Sequence, residues 1–278
     1  MIGLLLDVAT TAAILFVVAA GLLITFGVLK IINFAHGGFL TVGGYAALVV
    51  TQAGGSPWLA APAAFVAGVV LGAAVERVIV RPLYSRPLDA ILATWGLGIV
   101  IVQLITLAFG RGTNFVPSPV SGAVAAFGTD YSAWRLIMLV VAVLLAAALA
   151  ALLQGTRLGL EARAVIMNEE LAQGLGIDST RVRFVTFALG AGLAAFAGAL
   201  ITPLLSVDPL MGVPWLLNAF MLVLVSGTSL ASLGLASLLL GGAQVVISTY
   251  GNPVLGALSI VVLAAVLLRI RPAGFARG

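Results

Sequence analysis

Nine apolar stretches, with nearly every charged residue placed between them, decide what this chain can fold into. They run at about residues 4–29, 38–53, 57–75, 90–109, 135–153, 184–205, 214–231, 235–250 and 253–268. An ion at the centre of a bilayer costs about 3 kcal/mol or more on insertion scales, so membrane insertion selects this partition. With 62% hydrophobic and 8% charged residues, against roughly 25% charged in soluble domains, the chain has no polar surface to show water. At about 20 apolar residues per spanning helix, its 278 residues hold roughly eight to ten spans with short connections. The expected fold is all-α: one polytopic membrane domain over residues 1–278 with about nine transmembrane or re-entrant helices, several of them short.

The basic residues give an orientation. Arg77, Arg81 and Arg86 share one loop, Arg157, Arg163, Arg181 and Arg183 another, and Arg269, Arg271 and Arg277 the tail. Nine alternating spans with an external N-terminus and a cytoplasmic C-terminus put all of these and Lys30 inside, leaving only Arg111 and Arg135 outside. Trp58, Trp134 and Trp215 then fall near the external interface, whereas Trp95 does not. Asp7 is the only charge before Lys30, and the first apolar stretch exceeds signal-peptide length, so it reads as a retained span.

The composition also excludes chemistry. The chain contains no cysteine and one histidine, His36, which leaves no thiolate nucleophile, disulfide or credible metal site. A pI near 10.1 arises from scattered loop residues and not from a stripe that could track nucleic acid. Lys30, the only lysine, is followed by Ile31, so no phosphate-cradling P-loop is present and any ATPase must be another polypeptide. Coupled transporters and pumps usually hold a carboxylate, His or Lys within the membrane. The mid-span polar residues here are neutral: Thr25, Thr94, Gln103, Asn218, Ser226, Thr228, Gln244 and Ser248.

Two stretches carry the functional signal. In GLLITFGVLKIINFAHGGFLTVGG, from Gly21 to Gly44, an apolar helix ends near Lys30 and a polar interruption with Asn33 and His36 precedes a resumed apolar run. Irregular backbone at membrane depth is tolerated only where it faces protein or a water-filled cavity, which makes this break a candidate element of a solute path. The alternative is an interfacial loop in which His36 caps a helix. In the loop at about 154–183, Glu161, Arg163, Glu169 and Glu170 interleave with apolar residues at helical spacing, and Gly174 and Gly176 supply a stop. A short helix along the inner face is expected there, either as a docking surface for a cytoplasmic partner or as a solvated helix held by its own charge pairs.

At these stretches the sequence resembles the permease subunits of the branched-chain amino acid and urea group of ABC importers. The resemblance lies in Ile24 to Tyr45, in SRPLDAILATWGLG (Ser85 to Gly98), in Thr156 to Val182, and in the closing NPVLGALSIVVLAAVLLRIRPAGF (Asn252 to Phe275). It implies a permease pairing with a second, homologous one in the bacterial cytoplasmic membrane. Two cytoplasmic ABC ATPases, holding ATP and magnesium, would dock beneath, and an extracytoplasmic binding protein would deliver solute. By the same resemblance the stretch from Leu160 to Ile177 would correspond to the coupling helix, which would give Glu161, Arg163, Asn168, Glu169, Glu170, Gly174 and Gly176 a role in ATPase coupling. Thr25, Asn33, His36, Thr94, Gln103 and Asn218 are the expected path residues, with branched-chain or related amino acids as cargo. The Arg86-Pro-Leu-Asp and Ala93-Thr-Trp-Gly blocks look closer to the urea and short-chain amide branch, and Ser226-Gly227-Thr228 stands where the family usually has a glycine pair. A stand-alone channel is the alternative from another class.

Overall fold

The computed structural model describes residues 2–126, 129–272 and 274–275; Arg277 lies outside the described residues. Each of the nine apolar stretches forms a helix. In chain order the helices are α1 (Ile2–Leu29), α2 (His36–Gln52), α3 (Ala60–Val75), α4 (Pro87–Phe109), α5 (Ala133–Gly155), α6 (Arg157–Met167), α7 (Glu169–Gly174), α8 (Ser179–Ile201), α9 (Gly212–Ser226), α10 (Leu230–Tyr250) and α11 (Pro253–Ile270). A small antiparallel hairpin of β1 (Ala123–Ala126) and β2 (Thr129–Ser132) precedes α5, in a connection for which the sequence predicts no strand.

Among the described residues, seven helices are long and apolar enough to cross a membrane: α1, α4, α5, α8, α10, α11 and the continuous segment Pro57–Leu83 built on α3. The stretches at 38–53 and 214–231 instead give α2 and α9, of 17 and 15 residues. At 1.5 Å per residue they reach about 25 and 22 Å, short of a hydrocarbon core of about 30 Å. Their shortness is a consequence of where they start. Lys30, with a left-handed φ of 53°, turns the chain after α1, and the next regular turn begins only at His36. Similarly, Thr202 to Met211 leave α8 without forming a helix until Gly212.

Helix boundaries follow capping chemistry. Asp178 accepts from the Arg181 amide at 3.0 Å to start α8, Ser229 caps α10, and Asn252 caps α11 with Pro253 at its first position. The core is the α1–α8 pair, whose spanning windows are 89% and 78% buried, against 17–28% for the other five spans. Lipid offers apolar groups no drive to leave it, so these helices associate by close packing of small residues. Gly43 of α2 and Gly198 of α8 show it: a Cβ at either would strike the facing backbone, at Ala195 and Leu40 respectively.

Two of the indoles pack within the protein. Trp134 is buried, its Nε1 donating to the Leu200 carbonyl at 3.0 Å. Trp215 sits one turn into α9, whose start packs beside the start of α2. Trp215 is partly buried against the core. Trp58 remains exposed, edge-on to Trp134.

Candidate functional site

The break after α1 lies deep in the molecule. His36 is 1% exposed, and its Nε2 lies 2.9 Å from the carbonyl oxygen of Val18, eleven residues before the end of α1. At 1.5 Å per residue that is about 16 Å back along the axis, so α2 starts level with the middle of α1. The non-helical backbone between is satisfied by its own neighbourhood. Asn33 Oδ1 accepts from the Ala35 amide at 3.1 Å, and Thr94 Oγ1 of α4 accepts from the Phe34 amide at 3.3 Å. Buried amides left without partners would cost about 1–3 kcal/mol each.

The second short helix meets the first at this level. Gly37 and Gly212 pack backbone to backbone, with no room for a Cβ on Gly212. Thr41 Oγ1 donates to the Gly37 carbonyl at 3.1 Å and accepts from the Gly212 amide at 3.2 Å. The N-terminal ends of α2 and α9 are therefore joined, and their partial positive charges converge.

Beside this joint lies a cavity of about 350 Å³, lined among others by Phe34, Thr41, Trp95, Ile99, Gln103 and Val213. A second cavity of about 260 Å³ continues from it, sharing Val102, Gln103 and Leu210 and adding Thr106, Arg111, Asp208 and Pro209. The first is apolar on most of its wall; the second carries one charge of each sign.

Of the six expected path residues, only Gln103 faces these cavities. Thr25 is buried and donates to the Gly21 carbonyl at 3.0 Å, and His36 is turned onto α1. Asn33 and Thr94 hold the broken backbone beside the cavity, and Asn218 is half-buried on α9 away from both linings. Arg111 and Asp208 escaped the sequence reading because both stand just outside apolar stretches, where a charge reads as an ordinary loop residue.

The loop at 154–183 forms two helices instead of the single one expected. Asn168 breaks the run and caps α7, its Oδ1 accepting from the Leu171 amide at 3.0 Å. Gly176, with φ 85°, closes α7, while the Ile177 amide donates to the Ala172 carbonyl at 3.0 Å. Glu161 pairs with Arg157 at 3.0 Å, and Glu169 pairs with Arg183. Arg163, Asn168, Glu170, Gly174 and Gly176 are exposed, and so are Leu160, Met167, Leu171 and Leu175, which gives this surface an apolar component.

From Glu169 a polar chain runs towards the spans. The Arg183 guanidinium lies 4.6 Å from the Tyr84 ring centroid, and the Tyr84 hydroxyl donates to Oε1 of the fully buried Glu76. Burial and the Glu76 carboxylate push the Tyr84 phenol well above its ordinary pKa, which keeps it a donor. Glu76 opens a π-helical turn, Glu76–Val80, that carries α3 on towards Leu83. The sequence hides this link because Glu76 and Arg183 read as loop charges.

A profile of the family described as "Branched-chain amino acid transport system / permease component" matches residues 4–270. Among curated proteins, the chain is similar to the high-affinity branched-chain amino acid transport system permease protein LivH of Escherichia coli K12, at 29% identity over 84% of this chain and 81% of that one. LivH of Salmonella typhimurium LT2 is 28% identical over the same shares. The corresponding permease BraD of Pseudomonas aeruginosa is 29% identical over 86% of this chain and 82% of its own.

Proposed function

This chain belongs to the branched-chain amino acid transport permease family, and we propose that it is the membrane subunit of an ATP-driven importer of branched-chain amino acids. The observation that carries the reading is the joint between α2 and α9, two half-helices meeting at mid-depth beside a largely apolar cavity. Discontinuous helices of this kind place solute sites where backbone is free to line a cavity. The whole chain acts as one membrane domain of nine crossings. Seven are full helices, and two pair an irregular half with α2 or α9. The N-terminus is outside and the C-terminus is in the cytoplasm of a bacterial inner membrane.

The cavity opens on the flank formed by α4 and α9, which a second, homologous permease covers. ATP and magnesium are held by two cytoplasmic ATPases docked on α6 and α7, and an extracytoplasmic binding protein presents the solute. ATP binding draws the ATPases together. The movement passes from Glu169 through Arg183 and Tyr84 to Glu76 and biases a two-state rearrangement of the spans. Thr25, Asn33, His36, Thr94 and Asn218 support the walls of the path, while Gln103 contacts the solute. The named relatives are branched-chain amino acid permeases, which favours that cargo over urea or short-chain amides.

Reconstitution of the permease with its ATPases and receptor in proteoliposomes tests the reading. ATP-dependent accumulation of leucine, isoleucine or valine is expected. Accumulation of urea alone would reassign the cargo, and downhill flux through this chain without any ATPase would make it a facilitator.

A further inference from the structure

The cavity beyond Gln103 contains one cation and one anion, yet Arg111 and Asp208 form no ion pair with each other or with any other described residue. Opposite charges on one small cavity normally either pair or leave it. The backbone that carries each of them is held in place. Gly110, with φ 81°, ends α4 immediately before Arg111, and that end of α4 is anchored by Phe109 packing against Tyr45, ring centroids 4.7 Å apart and tilted by 47°. Asp208 follows Val207, whose amide and carbonyl both bond Asn114 at 2.8 Å, and its own Oδ1 accepts from the Leu210 amide at 2.8 Å. The carboxylate is thereby fixed with its second oxygen uncommitted.

We infer that Arg111 and Asp208 form the head-group site for an amino acid zwitterion at the outer end of the path. Arg111 takes the solute carboxylate, Asp208 takes its ammonium group, and the side chain hangs through the Gln103 junction into the cavity lined by Ile99, Val102, Val213 and Leu216. The arrangement matches a branched aliphatic amino acid at both ends. A charge-assisted bond is available to each ionised group, and the adjoining wall is apolar for the hydrocarbon part. Urea and short amides have no separated charges to span such a pair. The inference rests on the proposed importer function and adds the group chemistry by which its path recognises a solute.

The test uses the assembled permease–ATPase complex in nanodiscs without receptor, with radiolabelled leucine as the probe and leucinamide and 4-methylpentanoate as competitors. These competitors lack, respectively, the carboxylate and the ammonium group. Wild type is expected to bind leucine and to be competed poorly by either. Arg111→Gln should weaken leucine at least about tenfold and leave competition by leucinamide unchanged, and Asp208→Asn should do the same with respect to 4-methylpentanoate. Asn retains the oxygen that accepts from Leu210, so the local turn survives. Unchanged leucine binding in both variants overturns the inference, as does an absence of leucine binding by wild type. Intact leucine binding with lost receptor-stimulated ATP hydrolysis also overturns it and assigns the pair to receptor docking. If the complete wild-type complex with receptor fails to accumulate leucine with ATP, the importer reading itself falls; accumulation by variants at wild-type rates sinks the zwitterion site alone.

Discussion

Thr41 Oγ1 accepts the amide hydrogen of Gly212 at 3.2 Å, joining α2 to the start of α9 through two residues 171 apart in the chain. Each of these helices is too short to span alone, and the contact satisfies a buried amide in the first turn of α9. Thr41→Val keeps the shape and removes the acceptor. It should cost about 1–3 kcal/mol through the orphaned amide, seen as lower thermal stability of the detergent-solubilised protein. Thr41→Ser should recover most of the loss.

His36 ties the start of α2 to the middle of α1 through Val18. His36→Leu fills similar space without a ring nitrogen, so it should destabilise by about 1 kcal/mol and reduce transport further than it reduces expression. His36→Gln, which can still donate, should lie between. A passive scaffold would tolerate alanine at both Asn33 and His36 with uptake unchanged.

Tyr84→Phe removes the donor to the buried Glu76 carboxylate but keeps the ring under Arg183. Loss of a hydrogen bond to a charged group is worth about 1.5–3 kcal/mol. The expected phenotype is ATP hydrolysis and ATPase co-purification near wild type with several-fold less solute moved per ATP, measured in parallel on one proteoliposome preparation.

Glu161 and Glu169 each pair with an arginine of this chain, so a charge reversal there mixes loss of that pair with any loss of docking. The exposed apolar residues are the cleaner probes of docking. Met167→Asp with Leu171→Asp should reduce ATPase co-purification at least tenfold while leaving the helical content of the permease intact by circular dichroism.

Hydropathy is a local property, and each of the nine apolar stretches it marks forms one of the eleven helices among the described residues. It placed the starts of α2 and α9 within two residues but could not give the depth at which they sit, because that is set by distant partners: Val18 and Thr94 for the first break, Thr41 for the second. Asn33, His36 and Thr94 were legible as polar residues within apolar surroundings, but a linear sequence does not distinguish a residue that holds a wall from one that faces the space behind it. The cap at Asn168, followed by Glu169 and Glu170, does carry a helix-start signature. It was obscured by the helical spacing that continues across it. Arg111 and Asp208, nearly a hundred residues apart, become a pair only once α4 and the segment before α9 share a cavity.

The absence of native cysteine permits a direct test of whether the cavity beside the α2–α9 joint carries the solute. Single cysteines at Ile99 and Val213, both partly exposed on its wall, are modified with a methanethiosulfonate reagent in the complete complex, with Val262→Cys on α11 as the control. ATP-driven leucine uptake should fall at least tenfold after modification at Ile99 and Val213, with leucine slowing the labelling, while the Val262 control transports normally. Full uptake through a cavity whose wall has been quantitatively modified would place the path elsewhere.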